Sequence, residues 1–172
     1  MKLINNTKDF LTSLSLDCKT SMPIKNFQID SRKVTKNSVF FGLSGSNEDG
    51  SIYASDAIKK GASLVIIKRN KNSKYNPTSS KIVQVKSPEK LLIKAARVAI
   101  RRYEGKIIGV TGSNGKTTTK NILKNCISNS YSTFENFNND IGLPLCALEL
   151  DAKRNTAIFE MGAAKSGDID FL

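Results

Sequence analysis

The stretch from Ile107 to Ile127 limits what this chain can fold into more than any other. Ile107-Ile108-Gly109-Val110-Thr111 is a short aliphatic strand. It runs into the glycine-rich loop Gly112-Ser113-Asn114-Gly115-Lys116-Thr117-Thr118-Thr119, after which Ile122, Leu123, Cys126 and Ile127 predict a helix with one apolar face. Strand, glycine turn and helix in immediate succession point to an α/β chain with parallel strands. They also point to phosphate, because such a loop aims consecutive backbone N–H groups and a helix N-terminus at one spot while glycines allow close approach. Lys116 would reach terminal phosphates and Thr117 would place its hydroxyl on magnesium. Thr118 and Thr119 are helix-start residues first and ligands second. The commoner pattern has glycine where Val110 stands, with Gly109 and Gly112 on either side. A glycine-rich turn without a ligand is the plainer alternative.

Composition narrows the rest. The 172 residues are 39% hydrophobic and 24% charged, which argues against wholesale disorder, and no apolar run approaches the roughly 20 residues of a membrane span. The opening residues lack a signal-peptide pattern, so a cytoplasmic location without membrane insertion is expected. Cys18, Cys126 and Cys146 are far apart and there is no histidine, so neither a zinc site nor a disulfide framework is expected. Residues 1–104 hold 20 Lys and Arg against 8 Asp and Glu, whereas residues 105–172 hold 7 of each. That asymmetry suggests two units, the first able to attract a polyanion or simply carrying a solvated lysine surface. A nucleic-acid partner is not expected, because the few aromatics sit in apolar runs and not among the lysines.

The rhythm of the first unit is α/β. A helix is expected over Thr7–Leu14 with Thr7 as its cap, and strands over Phe27–Asp30 and Val39–Leu43. A turn over Gly45–Gly50 should follow, then a helix over Ile52–Lys60 stopped by Gly61, and strands over Ser63–Ile67 and Lys81–Val85. Residues 68–80 read as a surface loop or an inserted mobile hairpin. Ser87-Pro88-Glu89 opens a helix running to about Tyr103, with Leu91, Leu92, Ala95, Ala96, Ala99, Ile100 and Tyr103 on its apolar face. The boundary is placed at about residue 105, giving domains 1–104 and 105–172. A last aliphatic strand, Thr156–Phe159, ends at Glu160.

Several segments share an order with one family. Thr111 to Thr118 resembles the nucleotide loop of the Mur ligases, the ATP-dependent amide ligases of peptidoglycan precursor synthesis. Asn136-Phe137-Asn138-Asn139-Asp140-Ile141-Gly142-Leu143-Pro144 is similar to a segment of the branch that adds D-alanyl-D-alanine. So is Glu160-Met161-Gly162-Ala163 followed by Gly167-Asp168-Ile169. Asp30-Ser31-Arg32, Phe40-Phe41-Gly42-Leu43-Ser44-Gly45 and Asp49-Gly50 resemble segments of the uridine-nucleotide-binding domain. The resemblance implies a small mixed α/β substrate domain followed by the first part of a parallel-sheet P-loop ATPase domain. It implies ATP and Mg2+ as cofactors, and UDP-N-acetylmuramoyl-tripeptide and D-alanyl-D-alanine as substrates joined through an acyl phosphate. ATP would meet Gly112, Ser113, Asn114, Gly115, Lys116, Thr117 and Thr118. Thr117 and Glu160 would hold the metal, with Lys116 and Glu160 catalytic, and Asp30, Ser31, Arg32, Asn138 and Asn139 would contact the UDP-linked substrate. The plainer readings are a surface glutamate at Glu160, turn chemistry at the asparagines and a strand-end turn at Asp30–Arg32.

Ser51 and Lys165 stand where the family commonly has histidine. The family has three domains, so this chain reads as an N-terminal portion lacking the C-terminal domain and not competent alone, and as a monomer. Two rivals are a non-catalytic nucleotide-binding module and the Mur ligase that adds the third amino acid.

Overall fold

The computed structural model describes residues 2–18, 20–45, 48–69, 79–134, 137–163 and 167–171. It divides into two compact bodies, one of Ile4–Ala95 and the other of Met1–Leu3 with Ala96–Leu172.

The first body opens with α1 (Thr7–Ser13). Asn6, not Thr7, is its cap: Asn6 is extended and its Oδ1 accepts from the Asp9 N–H at 2.8 Å. Thr7 is already helical and buried, and its hydroxyl donates to the Thr20 carbonyl and accepts from Met22 N–H. Four parallel strands follow in spatial order, β1 (Asn26–Gln28), β2 (Ser38–Gly42), β3 (Leu64–Lys68) and β4 (Ile82–Val85). β2 is buried throughout and β3 at all but Lys68, as expected of central strands covered on both faces. Successive side chains point oppositely, so Phe41 meets Phe10 at a 6.3 Å ring separation. Phe40 instead joins Ala54 and Ala57 of α2 (Ala54–Lys59). The helix expected from Ile52 begins as a 3-10 turn over Gly50–Tyr53, because the Asp49 carboxylate accepts from Ser51 N–H and tightens the entry. Most of the expected loop 68–80 lies outside the described residues, as do positions 46 and 47 of the Gly45–Gly50 turn.

Helix α3 (Pro88–Arg102) starts as its sequence suggests: Ser87 Oγ accepts from Lys90 N–H at 3.2 Å. Leu92, Ala95, Ala96, Ala99 and Tyr103 are buried. The division between the two bodies falls within this helix.

The second body is built on three parallel strands in the order β5 (Lys106–Val110), β7 (Thr156–Glu160) and β6 (Ser130–Ser132), interleaved in sequence with α4 (Lys116–Cys126), α5 (Gly142–Leu148) and α6 (Asp168–Phe171). β7 is buried at every residue, whereas β5 is buried only at Val110 and leaves Ile107 47% exposed. The register pairs Val110 with Glu160, so both strands end at one level, where the glycine loop departs. Helix α4 corrects its expected apolar face. Leu123 and Ile127 are half-buried, on a stripe with Lys116 and the buried Lys120, while Ile122 and Cys126 are exposed. The stripe turned inward is set by the loop that anchors Lys116 and Thr117 above the strand ends, and it takes a lysine with it. Strand β6 and helix α5 were not anticipated. All seven residues of α5 are buried, so it shows no amphipathic period.

Candidate functional site

The loop leaves β5 and turns into α4 through two glycines with positive φ, Gly112 at +148° and Gly115 at +74°. Gly115 is the cap residue of α4 in the left-handed region. A Cβ there would find open space, so glycine is required by the dihedral and not by crowding. Residues 111–115 and Thr117, Thr118 and Thr119 are exposed. The Lys116 ammonium donates to the Gly112 carbonyl at 2.7 Å, which holds its stem back along the loop.

Below the loop lies Glu160, 4% exposed at the end of β7. The Thr117 hydroxyl lies 3.0 Å from both of its carboxylate oxygens. Asn138 Nδ2 donates to Oε1 at 3.2 Å, and Lys120 Nζ is 3.3 Å from Oε2. The backbone is fixed as well: Glu160 N–H donates to the buried Thr133 hydroxyl at 3.1 Å, and Met161 N–H to the Val110 carbonyl. Burial alone would push the Glu160 carboxyl up. The donors Thr117, Asn138 and Lys120 more than offset it, so the carboxyl lies below its usual range and is ionised at neutral pH.

The structure therefore brings Thr117, Asn138 and Glu160 together, leaves the Lys116 ammonium on the loop carbonyls, and separates Asn139 from them in role. Asn139 Oδ1 accepts from Ile141 and Gly142 N–H groups, at 3.2 and 2.7 Å, and starts α5. Asn136 and Lys165 lie outside the described residues. Sequence reasoning missed Lys120 and Thr133. The signal for Lys120 was its place three residues after Thr117, on the same side of one helix.

In the first body, Asp30 caps a 3-10 turn over Ser31–Lys33. Its carboxylate accepts from the Arg32 N–H at 2.9 Å and from the Arg32 guanidinium at 2.8–3.2 Å. The guanidinium holds the Asp30 carboxyl down at about 2. Ser31 is buried and its carbonyl accepts from Lys60 Nζ at 2.9 Å. The second family-like segment is pinned from α3: Glu89 accepts from Ser44 N–H at 2.8 Å and from the Ser87 hydroxyl at 2.7 Å. Gly50 passes so close to β2 that an added Cβ would sit 2.5 Å from the Leu43 carbonyl. Ser51 Oγ is buried with no hydrogen-bond partner among the described residues.

Two family models match, the Mur ligase family catalytic domain over residues 23–105 and the Mur ligase middle domain over residues 110–172. The chain belongs to the Mur ligase family. It is 35% identical over 175 residues to the UDP-N-acetylmuramoyl-tripeptide–D-alanyl-D-alanine ligase of Buchnera aphidicola subsp. Baizongia pistaciae, covering 99% of this chain and 37% of that protein. The ligase of the same name from Rickettsia prowazekii is 34% identical over 173 residues, covering 99% and 38%. Among solved structures, the MurF ligase of Thermotoga maritima in complex with ADP superposes with a TM-score of 0.71 at 34% identity, covering 86% of this chain and 34% of that one. The chain thus spans under two fifths of the length of these curated relatives.

A Mur ligase loop of this kind implies a divalent cation, and the residues present fit magnesium. The donor set is a hydroxyl and a carboxylate, both hard oxygen donors. Both oxygens converge on one spot, with the Thr117 hydroxyl 3.0 Å from the Glu160 carboxylate, so these two residues would hold the ion.

Proposed function

We propose that this chain is the N-terminal portion of a ligase that joins D-alanyl-D-alanine to UDP-N-acetylmuramoyl-tripeptide at the expense of ATP, in peptidoglycan precursor synthesis. Residues 1–104 form the UDP-substrate domain and residues 105–172 the opening part of the ATP-binding domain. The observation that carries this reading is the Thr117–Glu160 pair, which joins the start of the phosphate loop's helix to the end of the neighbouring strand.

In this reading the loop N–H groups from Gly112 to Thr118 receive the ATP phosphates. Lys116 exchanges its bond to the Gly112 carbonyl for one to the terminal phosphates. The substrate carboxylate attacks the γ-phosphorus, the bond to the β–γ bridging oxygen breaks, and ADP leaves. The amine of D-alanyl-D-alanine then attacks the acyl phosphate carbonyl, inorganic phosphate departs, and the amine proton passes to solvent. A carboxylate attacking a polyanion is repelled, so this chain's contribution is charge neutralisation and alignment. Held by Thr117 and Glu160, magnesium would screen that repulsion. Asn138 keeps Glu160 in place through its bond to Oε1 and, with Asn139, lines the approach of the substrate carboxylate. Arg32 and the Ser31 turn receive the uridine diphosphate once Arg32 turns from Asp30 to a phosphate. No helix among the described residues is long and apolar enough to cross a membrane; a cytoplasmic monomer, without a nucleic-acid partner, belongs to the same reading.

The test is calorimetric titration of the chain with UDP-N-acetylmuramoyl-tripeptide and, separately, with magnesium-ATP, with UDP as comparator. Saturable binding of both substrates is expected. A folded chain that bound magnesium-ATP but neither UDP ligand would sink the substrate assignment and leave a nucleotide-binding module.

A further inference from the structure

The carboxylate beside Thr117 already carries a cation. Lys120 Nζ lies 3.3 Å from Glu160 Oε2, and both side chains are only 6% exposed. Lysine is seldom buried so deeply, and burying an ammonium is costly unless something compensates for it. The packing of α4 on the sheet does not require a charge at this position, since an apolar residue would complete the stripe with Leu123 and Ile127.

Three donors surround the Glu160 carboxylate, and together they occupy both of its oxygens. Oε1 accepts from Thr117 and Asn138, and Oε2 is shared between Thr117 and Lys120. A divalent cation that joins Thr117 to this carboxylate has to displace either a neutral amide or an ammonium. Charge makes the second the larger effect. Lys120 and the positive end of the α4 dipole stand against one carboxylate, so a bare dication arrives at a site that is already positive. A nucleotide reverses that balance by bringing several negative charges.

We propose that Lys120 is a tethered counter-ion of Glu160: it holds the carboxylate in position while no metal is bound, and it makes divalent-cation binding conditional on nucleotide. This rests on the reading of Thr117 and Glu160 as metal ligands. Lys120 is a positioning residue, acting on the metal through Glu160. Because energetic coupling is reciprocal, the same lysine strengthens the dependence of nucleotide affinity on metal.

The experiment is titration of the full chain with Mn2+, alone and with saturating ADP, for the wild type and Lys120→Met, Lys120→Gln and Lys120→Arg. The methionine variant leaves a buried carboxylate uncompensated and can fail to fold. Glutamine removes the charge while keeping an N–H donor for Oε2, and circular dichroism reports which variants are folded. Removing the charge is expected to tighten Mn2+ binding without nucleotide by about tenfold or more, with a smaller gain in the presence of ADP, so that the coupling falls. Arginine should restore the weak binding of the wild type. A lysine that only filled space would give a loss or no change, never a gain. A folded Lys120→Gln protein whose affinity for free Mn2+ is unchanged or weaker overturns the proposal. So does a gain that persists when Glu160→Gln is added, because the metal then binds elsewhere. If the wild type with ADP binds no Mn2+, the metal-nucleotide reading falls as well. Normal binding with ADP and an unchanged glutamine variant removes this inference alone.

Discussion

The two parallel sheets of this chain are covered to different degrees. In the first body, β2 and β3 are buried almost end to end, and the Phe40 and Phe41 side chains are packed on opposite faces. In the second, β7 is equally buried, but its neighbour β5 exposes Ile107, and α4 exposes Ile122 at 56%. Both bodies have strong apolar patterns. Periodicity states which surface is suited to burial, and only packing decides whether it is buried. In the second body the most deeply placed residue of α4 is a lysine, selected by its contact with a strand-end carboxylate.

The largest test of that contrast sets Phe41→Ala against Ile122→Ala. Phe41 is 0% exposed, so its truncation should cost about 3–5 kcal/mol. Ile122→Ala should stay within about 0.5 kcal/mol, as for other exposed sites. Urea unfolding followed by circular dichroism measures both. Equal costs would mean that Ile122 is covered in solution and would remove the difference between the bodies.

The next test asks whether the charged cluster of the second body is as structural as the aromatic core of the first. Glu160→Ala leaves the Lys120 ammonium buried without its partner and the Thr117 and Asn138 donors without an acceptor. A loss of about 3 kcal/mol is expected, falling to less than half of that when Lys120→Met is combined with it, because the stranded charge is then gone. A double mutant no more stable than Glu160→Ala would show that the pair is not the source of the cost.

How much of this was legible in sequence follows the same division. The strand, loop and helix around Lys116 could be read because glycine and periodicity are local signals. The first body's β2 and β3 could be read because buried parallel strands are continuous apolar runs. Glu160 was legible as the polar end of such a run. Lys120 left only its spacing from Thr117 as a signal, because a lysine within a helix reads as its wet side, and it is the 3.3 Å approach to Glu160 that shows what lies beneath it. Helix α5 was hidden for the opposite reason. It is buried all round, and Asn139, Gly142 and Pro144 carry turn signals that are here spent on starting a helix. Thr7 lost the role of cap to its neighbour because both residue types cap well and only the backbone dihedral separates them.

Lys116 extends the comparison to function without stability. Among the described residues its ammonium is bonded to loop carbonyls, so Lys116→Ala should leave the unfolding free energy within about 0.5 kcal/mol of wild type. The same variant should weaken magnesium-ATP binding by on the order of 100-fold, because charge-assisted bonds to the phosphates are lost. Calorimetric titration reads the affinity. An unchanged affinity would sink the phosphate-loop assignment.

The smallest expected effect lies in the other carboxylate–cation pair. Asp30 and Arg32 form a close ion pair like that of Glu160 and Lys120, but the Arg32 side chain is 86% exposed, so screening by water and salt leaves little stability in it. Its signature is a titration. The Asp30 carboxyl is lowered from 3.8 to about 2, first by the Arg32 side-chain hydrogen bond and, against burial, also by the Arg32 backbone N–H. A depressed carboxyl stabilises the fold above its unfolded value and loses that contribution as pH falls through its folded value, here between about 4 and about 2. Carbon-detected NMR titration of Arg32→Ala should move the Asp30 midpoint partway back toward 3.8, because the backbone donor at position 32 remains. A midpoint still at about 2 would mean that the turn alone holds the carboxylate. In that case Arg32 is already free to face a phosphate, and the exposed pair differs from the buried one in kind as well as in strength.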